Sequence, residues 1–170
     1  MSTFLVDYEN VYIDGLDGLE SLTEEDTVCI FYTQNRCGMT FDLHKRLMKS
    51  KAEIKLLEVP SAPPKNPYSK SSINNSIKNA LDLQLTLYLG FLMARYADAE
   101  EQVSIFIVSR DKDFGLDLEF TKEYLSGSEI NVGLFANIQK ALDSLLPPKP
   151  VESDESESSE SIDEYYYNNS

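Results

Sequence analysis

Short apolar runs alternate along the chain with stretches of helical periodicity. The apolar and β-branched runs predict five strands, at residues 3–7, 27–33, 53–59, 103–109 and 130–135. The helical spacing predicts four main helices, at residues 41–50, 77–97, 115–126 and 136–146. Strands that alternate with helices are typical of a parallel sheet covered on both faces. We therefore predict an α/β fold, a three-layer α/β/α sandwich around a central parallel sheet of about five strands.

The individual runs add detail to this prediction. Residues 103–109 contain no charge, which indicates a strand buried on both faces of a sheet. Thr40 is a suitable N-cap for the helix that follows it. The apolar residues of that helix recur at helical spacing and predict its buried face, namely Phe41, Leu43, Leu47 and Met48.

Two segments interrupt the regular pattern. Residues 60–75 are rich in Pro, Ser and Asn and predict a long irregular loop, which leaves the carboxyl end of the third strand. Residues 147–170 combine serines and acids with few aliphatic side chains, a composition that cannot offset the entropy lost on folding. We expect one folded domain at residues 1–146 and a disordered acidic tail at residues 147–170.

Charge is unevenly distributed along the 170 residues. The formal net charge is -14, but residues 151–170 hold seven acids and no base, which leaves -7 on the rest of the chain. Residues 36–78 hold nine bases and three acids, so this segment could face phosphate. The alternative is that four of these bases only belong to the solvated face and last turn of a helix, where cations are favoured. Those four are Lys45, Arg46, Lys49 and Lys51.

Cysteine content and hydropathy bear on the cellular compartment. The chain has two cysteines, Cys29 and Cys37, which implies no disulfide framework and favours a reducing compartment. The N-terminal residues show no signal-peptide pattern, and the longest apolar stretch, at residues 81–93, is too short to cross a bilayer. We expect a soluble, cytoplasmic protein that has no membrane partner.

Four aspartates stand at positions where chemistry is expected. Asp7 ends the first predicted strand, and Asp111 and Asp113 follow the fourth, so all three lie at carboxyl ends of strands, where open α/β sheets bind ligands. Asp82 lies near the start of the long helix that leads back from the same edge. Its alternative role is structural, because a carboxylate near a helix N-terminus is stabilised by the helix dipole.

A group of carboxylates without histidine or cysteine indicates a hard divalent cation. Mg²⁺ or Mn²⁺ prefers such oxygen ligands and retains part of its water shell. A cation of this kind can activate a water for in-line attack on phosphorus. Phosphodiester hydrolysis is therefore the chemistry that these residues predict.

Three motifs also carry a resemblance to a known family. The chain resembles the PIN-like nucleases of the NYN type in VDYEN at residues 6–10, KNALD at residues 78–82 and SRDKDF at residues 109–114. The resemblance implies that Asp7, Asp82, Asp111 and Asp113 are catalytic and bind metal, with Asp117 as a substitute ligand. It also implies that Asn10 and Ser109 contact those ligands. The implied activity is a metal-dependent endoribonuclease acting on single-stranded or structured RNA.

Two other functions stay open from the sequence. One is a catalytically inactive PIN-like module that binds RNA or a protein. The other is a Toprim-like nuclease, in which Glu9 would replace Asp7. For the leading hypothesis we expect RNA as the substrate, with DNA possible, and a homodimer is possible as well. The expected substrate-binding residues are Lys65, Lys70, Lys78 and Arg110.

Overall fold

A computed structural model describes residues 1–34, 38–60, 73–125 and 127–147 of the chain. The strands are β1 (Ser2–Asp7), β2 (Thr27–Thr33), β3 (Glu53–Val59), β4 (Val103–Val108) and β5 (Ile130–Phe135). The helices are α1 (Tyr8–Val11), α2 (Phe41–Lys49), α3 (Ile73–Arg95), α4 (Asp113–Tyr124) and α5 (Ile138–Leu145). Two 3₁₀ turns, Tyr12–Leu16 and Leu19–Ser21, connect α1 to β2.

The strands form one sheet in the order β3-β2-β1-β4-β5, and every neighbouring pair is parallel. The central pair is β1 and β4, in which Val6 lies opposite Val108. All residues of both strands are buried, including Asp7 at the end of β1, so the sheet is covered on both sides here. Their carboxyl ends therefore meet side by side in the middle of one edge of the sheet.

Alternate side chains of the central strands enter two separate hydrophobic cores. Phe4 and Phe106 pack on one face, together with residues of α2, α5 and the first 3₁₀ turn. Leu5 and Ile107 pack on the other face, against α3 and α4. The helices thus cover both sides of the sheet, and the predicted three-layer α/β/α sandwich is confirmed.

Several predicted boundaries need correction. Helix α3 begins at Ile73, so residues 73–75 belong to the helix and not to the predicted loop. Helix α4 begins at Asp113, two residues before the predicted start. The predicted buried face of α2 is also wrong in part, because Phe41 is 85% exposed and Met48 73% exposed. Helix α2 instead buries Leu43 and partly buries Leu47 in the core on this face of the sheet.

Some of the predictions concern segments outside the described residues. These are most of the loop at residues 60–75 and the acidic tail from residue 148 onward. Within the part of the chain that the structure describes, no helix combines the length and the apolar character that a bilayer span requires.

Candidate functional site

The carboxyl ends of β1 and β4 are joined by a buried hydrogen bond between Asp7 and Ser109. The Ser109 hydroxyl donates to Asp7 Oδ2 over 2.9 Å. Asp7 is the last residue of β1, and Ser109 directly follows β4. The parallel register of these strands therefore brings together two residues that lie 102 positions apart in the chain.

The hydrogen bonding continues from Ser109 into the loop after β4. The Asp111 N–H donates to Ser109 Oγ over 3.0 Å, and the Asp113 N–H donates to Asp111 Oδ1 over 3.0 Å. A hydroxyl has one hydrogen, so Ser109 gives it to Asp7 while its oxygen accepts from Asp111. The series Asp7–Ser109–Asp111–Asp113 holds the start of α4 against the end of β1. Asp111 thus has a structural role at the start of α4 as well as a predicted chemical one.

Asp7 is the most deeply buried carboxylate of this series, with 3% of its surface exposed. Burial raises the pKa of its carboxyl group, whereas polar contacts from Ser109 and Asn10 lower the pKa and partly offset that effect. The nearby charge of Glu9 raises the pKa of Asp7 further. None of the described ion pairs involves Asp7. A buried anion in this state favours a proton or a cation as its partner.

Glu9 is a further acid at this edge. Its carboxylate accepts a hydrogen bond from Thr33, the last residue of β2, and its charge acts on Asp7. The leading sequence hypothesis did not use Glu9, although the Toprim-like alternative did. Its position two residues after the end of the first strand was the available signal.

Asp82 is carried toward the same edge by α3. This helix connects the carboxyl end of β3 to the amino end of β4, so it runs antiparallel to the strands. The ring centroids of Tyr88 and Phe31 lie 5.6 Å apart. Phe31 belongs to β2 and pairs with Asp7 of β1 in the sheet. Asp82 precedes Tyr88 by six residues, about 9 Å of helix in the direction of the carboxyl edge. The side chain of Asp82 is half-buried between the buried Leu81 and the exposed Leu83.

The donor set fits a hard divalent cation in kind, since the buried Asp7 has an uncompensated charge and its neighbours offer oxygen ligands. The spacing of these oxygen ligands does not yet form a complete metal site. Among the described side chains, no three His, Cys, Asp or Glu residues lie close enough to bind one ion. The four-aspartate metal site therefore stays a prediction.

The predicted substrate-binding residues are only partly described. Arg110 forms an ion pair with Asp14 over 3.1 Å and remains half-exposed. Lys65 and Lys70 lie outside the described residues, as do the side chains of Lys78 and Asp117.

The basic residues of α2 match the alternative explanation better than a phosphate-binding role. Arg46 and Lys49 lie in the last turn of α2, where cations are favoured by the helix dipole. Arg46 also pairs with Glu20 over 2.6 Å, and each partner shifts the pKa of the other in the direction that favours the ion pair. Because α2 starts at the carboxyl edge of the sheet, its last turn lies away from Asp7.

Comparisons with known proteins bear on the fold and on the site together. Neither the curated proteins nor the solved structures provide a match to this chain. The family model of the PIN domain matches residues 1–130, a range that includes β1, α3, β4 and all four aspartates. The match favours this family over the Toprim-like alternative. The chain belongs to the PIN domain family, whose members are generally metal-dependent nucleases that act on nucleic acid.

Proposed function

We propose that this chain is a metal-dependent endoribonuclease that hydrolyses phosphodiester bonds of single-stranded or structured RNA. The observation that carries the proposal is the hydrogen-bonded series Asp7–Ser109–Asp111–Asp113 across the ends of the two central strands. It sets one buried carboxylate and two more accessible ones at the edge where parallel α/β sheets bind ligands. The NYN subtype, suggested by three short motifs, is part of the same proposal.

The residues that would hold the cation are Asp7, Asp82, Asp111 and Asp113, and Mg²⁺ or Mn²⁺ suits their oxygen donors. When bound, such a cation supplies a nucleophilic water at neutral pH and neutralises charge that develops on phosphate oxygens. Ser109 orients the Asp7 carboxylate by donating to Oδ2. Asn10 favours the charged form of the same carboxylate, since its contacts lower the Asp7 pKa.

Two features of the chain would position the substrate strand. Arg110 offers a half-exposed guanidinium immediately next to Asp111. Lys65 and Lys70 lie in sequence between α3 and β3, the strand that ends at the edge where Asp7 lies, and Lys78 belongs to the first turns of α3. Positively charged side chains along the path of the substrate offset the repulsion between phosphate and the acidic body of the protein.

A cleavage assay with matched oligonucleotides tests the proposal. Labelled single-stranded RNA, an RNA hairpin and single-stranded DNA of the same sequence are incubated with the protein in Mn²⁺, in Mg²⁺ and in EDTA. We expect cleavage of RNA that EDTA abolishes. Asp111→Asn should lower the rate about 100-fold or more, because one anionic ligand is lost with little change in shape.

The control variant is Asp98→Asn, which changes an exposed acid in the segment between α3 and β4, at the opposite edge of the sheet. It should cleave at the wild-type rate. Wild-type protein that cleaves none of the three substrates with either metal would refute the enzymatic proposal. Equal rates for Asp111→Asn and Asp98→Asn would remove Asp111 from the site.

A second candidate function is RNA binding without cleavage. The observation that favours it is the lack of three gathered metal-binding side chains among the described residues. Thermal melting in increasing Mn²⁺ separates the two candidates, because a ligand that binds only the folded state raises its stability. Millimolar Mn²⁺ should raise the melting temperature of the wild type more than that of Asp111→Asn. Equal melting curves for the two proteins would favour the binding module.

A further inference from the structure

Tyr12 has an unusual backbone conformation next to the candidate site. It ends α1, where its N–H donates to Tyr8 O, and its φ of 50° and ψ of -145° lie in a region that favours glycine. Among the described residues, no other side-chain-bearing residue has a positive φ. Such a conformation carries an energetic cost for a residue with a bulky side chain. A glycine at this position would avoid the cost. The presence of a tyrosine therefore indicates that its ring has a role.

The turn that begins with Tyr12 is fixed against the end of β4. A Cβ added at Gly15 would lie 3.5 Å from Val108 Cγ1, and it would collide with Val11 Cγ2 at 2.1 Å. Glycine is therefore required at this position by Val11, and the turn lies within van der Waals contact of the last residue of β4. The ion pair between Asp14 and Arg110 ties the same turn to the loop that contains Asp111.

The Tyr12 side chain is 49% exposed, although it is large and aromatic. Its ring contacts Tyr8 edge-on, with 6.1 Å between centroids and 64° between planes. This contact restrains the ring, and Tyr8 is itself buried and follows Asp7 directly. The half-exposed ring of Tyr12 is thus restrained by Tyr8, and Asp14, two residues further along the same turn, pairs with Arg110, which directly precedes Asp111.

We propose that Tyr12 and Arg110 form a nucleobase-binding subsite for single-stranded nucleic acid, in which a base stacks on the Tyr12 ring beside the scissile phosphate. The subsite deepens the proposed nuclease function and rests on it for the identity of the ligand. Aromatic rings bind unpaired bases of any sequence because every base has a π-face, and arginine adds charge and stacking. Bases inside a duplex are already stacked on their neighbours, so the subsite selects single strands.

Binding of a fluorescent single-stranded RNA, followed by anisotropy in EDTA at low salt, tests the subsite without cleavage. Tyr12→Gly should weaken binding about 10-fold, which corresponds to the loss of one stacked base. Tyr12→Phe keeps the ring and should stay within about twofold of wild type. The matched control is Phe91→Ala, which removes an exposed aromatic ring from α3, in the half of that helix that leads toward the amino edge. It should bind like wild type.

Stability separates a binding role from a structural one. Tyr12→Gly relieves the backbone strain, so its melting temperature should equal or exceed that of the wild type. A role in the fold alone would instead lower it. If Tyr12→Gly does not fold, Tyr12→Leu, which keeps apolar bulk without a ring, replaces it in the comparison.

The outcomes distinguish this inference from the proposed function. Equal binding by wild type, Tyr12→Gly and Phe91→Ala overturns the subsite, as does a wild type that binds no single strand at all. If the wild type cleaves RNA in either case, the nuclease proposal stands. If the wild type cleaves nothing but Tyr12→Gly loses binding and Tyr12→Phe retains it, the nuclease proposal fails and the subsite stands.

Discussion

At the scale of single residues, the buried Asp7 is proposed to take part in the function, and its charge also lowers the stability of the fold. Its carboxylate is almost inaccessible to water, and its pKa is raised chiefly by burial. A folded-state pKa above the ordinary value means that the folded protein is favoured when Asp7 is protonated. This contribution is complete below the unfolded-state pKa of about 3.9 and is lost as the pH rises through the folded-state pKa. At neutral pH, without metal, Asp7 therefore lowers the free energy of unfolding.

We predict that Asp7→Asn stabilises the metal-free protein at neutral pH by a few degrees in melting temperature, since one kcal/mol corresponds to roughly 2–4 °C in a chain of this size. Asparagine keeps an oxygen that can accept from Ser109 and carries no charge. The difference from wild type should shrink as the pH falls toward 4, because Asp7 then takes up a proton. Thermal melting in EDTA across this pH range measures it.

The matched control for this prediction is Asp143→Asn, which changes an exposed carboxylate in α5 that accepts from Gln139. It should show no stabilisation at neutral pH. Asp7→Asn should also lose RNA cleavage with Mn²⁺, if Asp7 is a metal ligand. A less stable Asp7→Asn at pH 7 would contradict the assignment of an uncompensated buried charge.

At the scale of elements, the start of α3 changes the interpretation of Asp82. The sequence pattern placed this residue near the helix start, where the dipole would stabilise a carboxylate. The helix begins at Ile73, however, and its first turn contains no acid. The dipole effect fades within one turn, so it does not account for Asp82 in the third turn. The helix dipole therefore does not explain the position of Asp82, and its metal-binding role stays a prediction.

Helix α2 makes a second element-scale prediction possible. Its N-cap is Thr40, whose Oγ1 accepts from the Leu43 N–H over 3.1 Å. Because α2 buries little apolar surface, its cap carries a large share of its local stability. Thr40→Ala should lower the free energy of unfolding by about 1 kcal/mol. Thr40→Ser keeps the hydroxyl, so its loss in the free energy of unfolding should be only a few tenths of the loss in Thr40→Ala.

Urea unfolding followed by circular dichroism measures both Thr40 variants. The helix content of α2 should fray at lower denaturant in Thr40→Ala than in the wild type. Indistinguishable midpoints for the alanine and serine variants would show that the cap is not what stabilises this helix.

At the scale of the whole molecule, the segment between α1 and β2 is closed against the last helix. Gly18 has a φ of 99°, and a Cβ there would lie 2.6 Å from the backbone nitrogen of Gln139. The Gln139 N–H also donates to Asp17 O over 2.6 Å. Residues near the two ends of the described fold are therefore in direct backbone contact, and only a glycine leaves room for it.

We predict that Gly18→Ala lowers the free energy of unfolding by roughly 2–4 kcal/mol, since it combines an unfavourable φ with a backbone collision. Gly127→Ala is the matched control, because Gly127 has a similar φ of 95° and no atom of the described residues lies within 4 Å of the added Cβ. It should cost only about 1 kcal/mol. Chemical denaturation of both variants separates strain from collision, and equal losses would contradict the packing described for Gly18.

Sequence by itself determined the fold class and most of the elements of this protein. Apolar and β-branched runs and the helical period of 3.6 are local properties, so the runs identify strands at residues 27–33, 53–59 and 130–135 without reference to the rest of the chain. The N-cap of α2 is local in the same way. Alternation of strands and helices then restricts the architecture to a parallel sheet, and the carboxyl edge follows from the chain direction.

Only the tertiary structure decided how the polar residues at that edge meet. The bond between Asp7 and Ser109 depends on β1 and β4 being neighbours in register, and the order of strands is set by long-range packing that no local pattern records. The same holds for the strained Tyr12, the ion pair between Arg110 and Asp14 and the exposure of Phe41. Each of these depends on which surfaces the rest of the chain covers, and burial is a property of the assembled molecule.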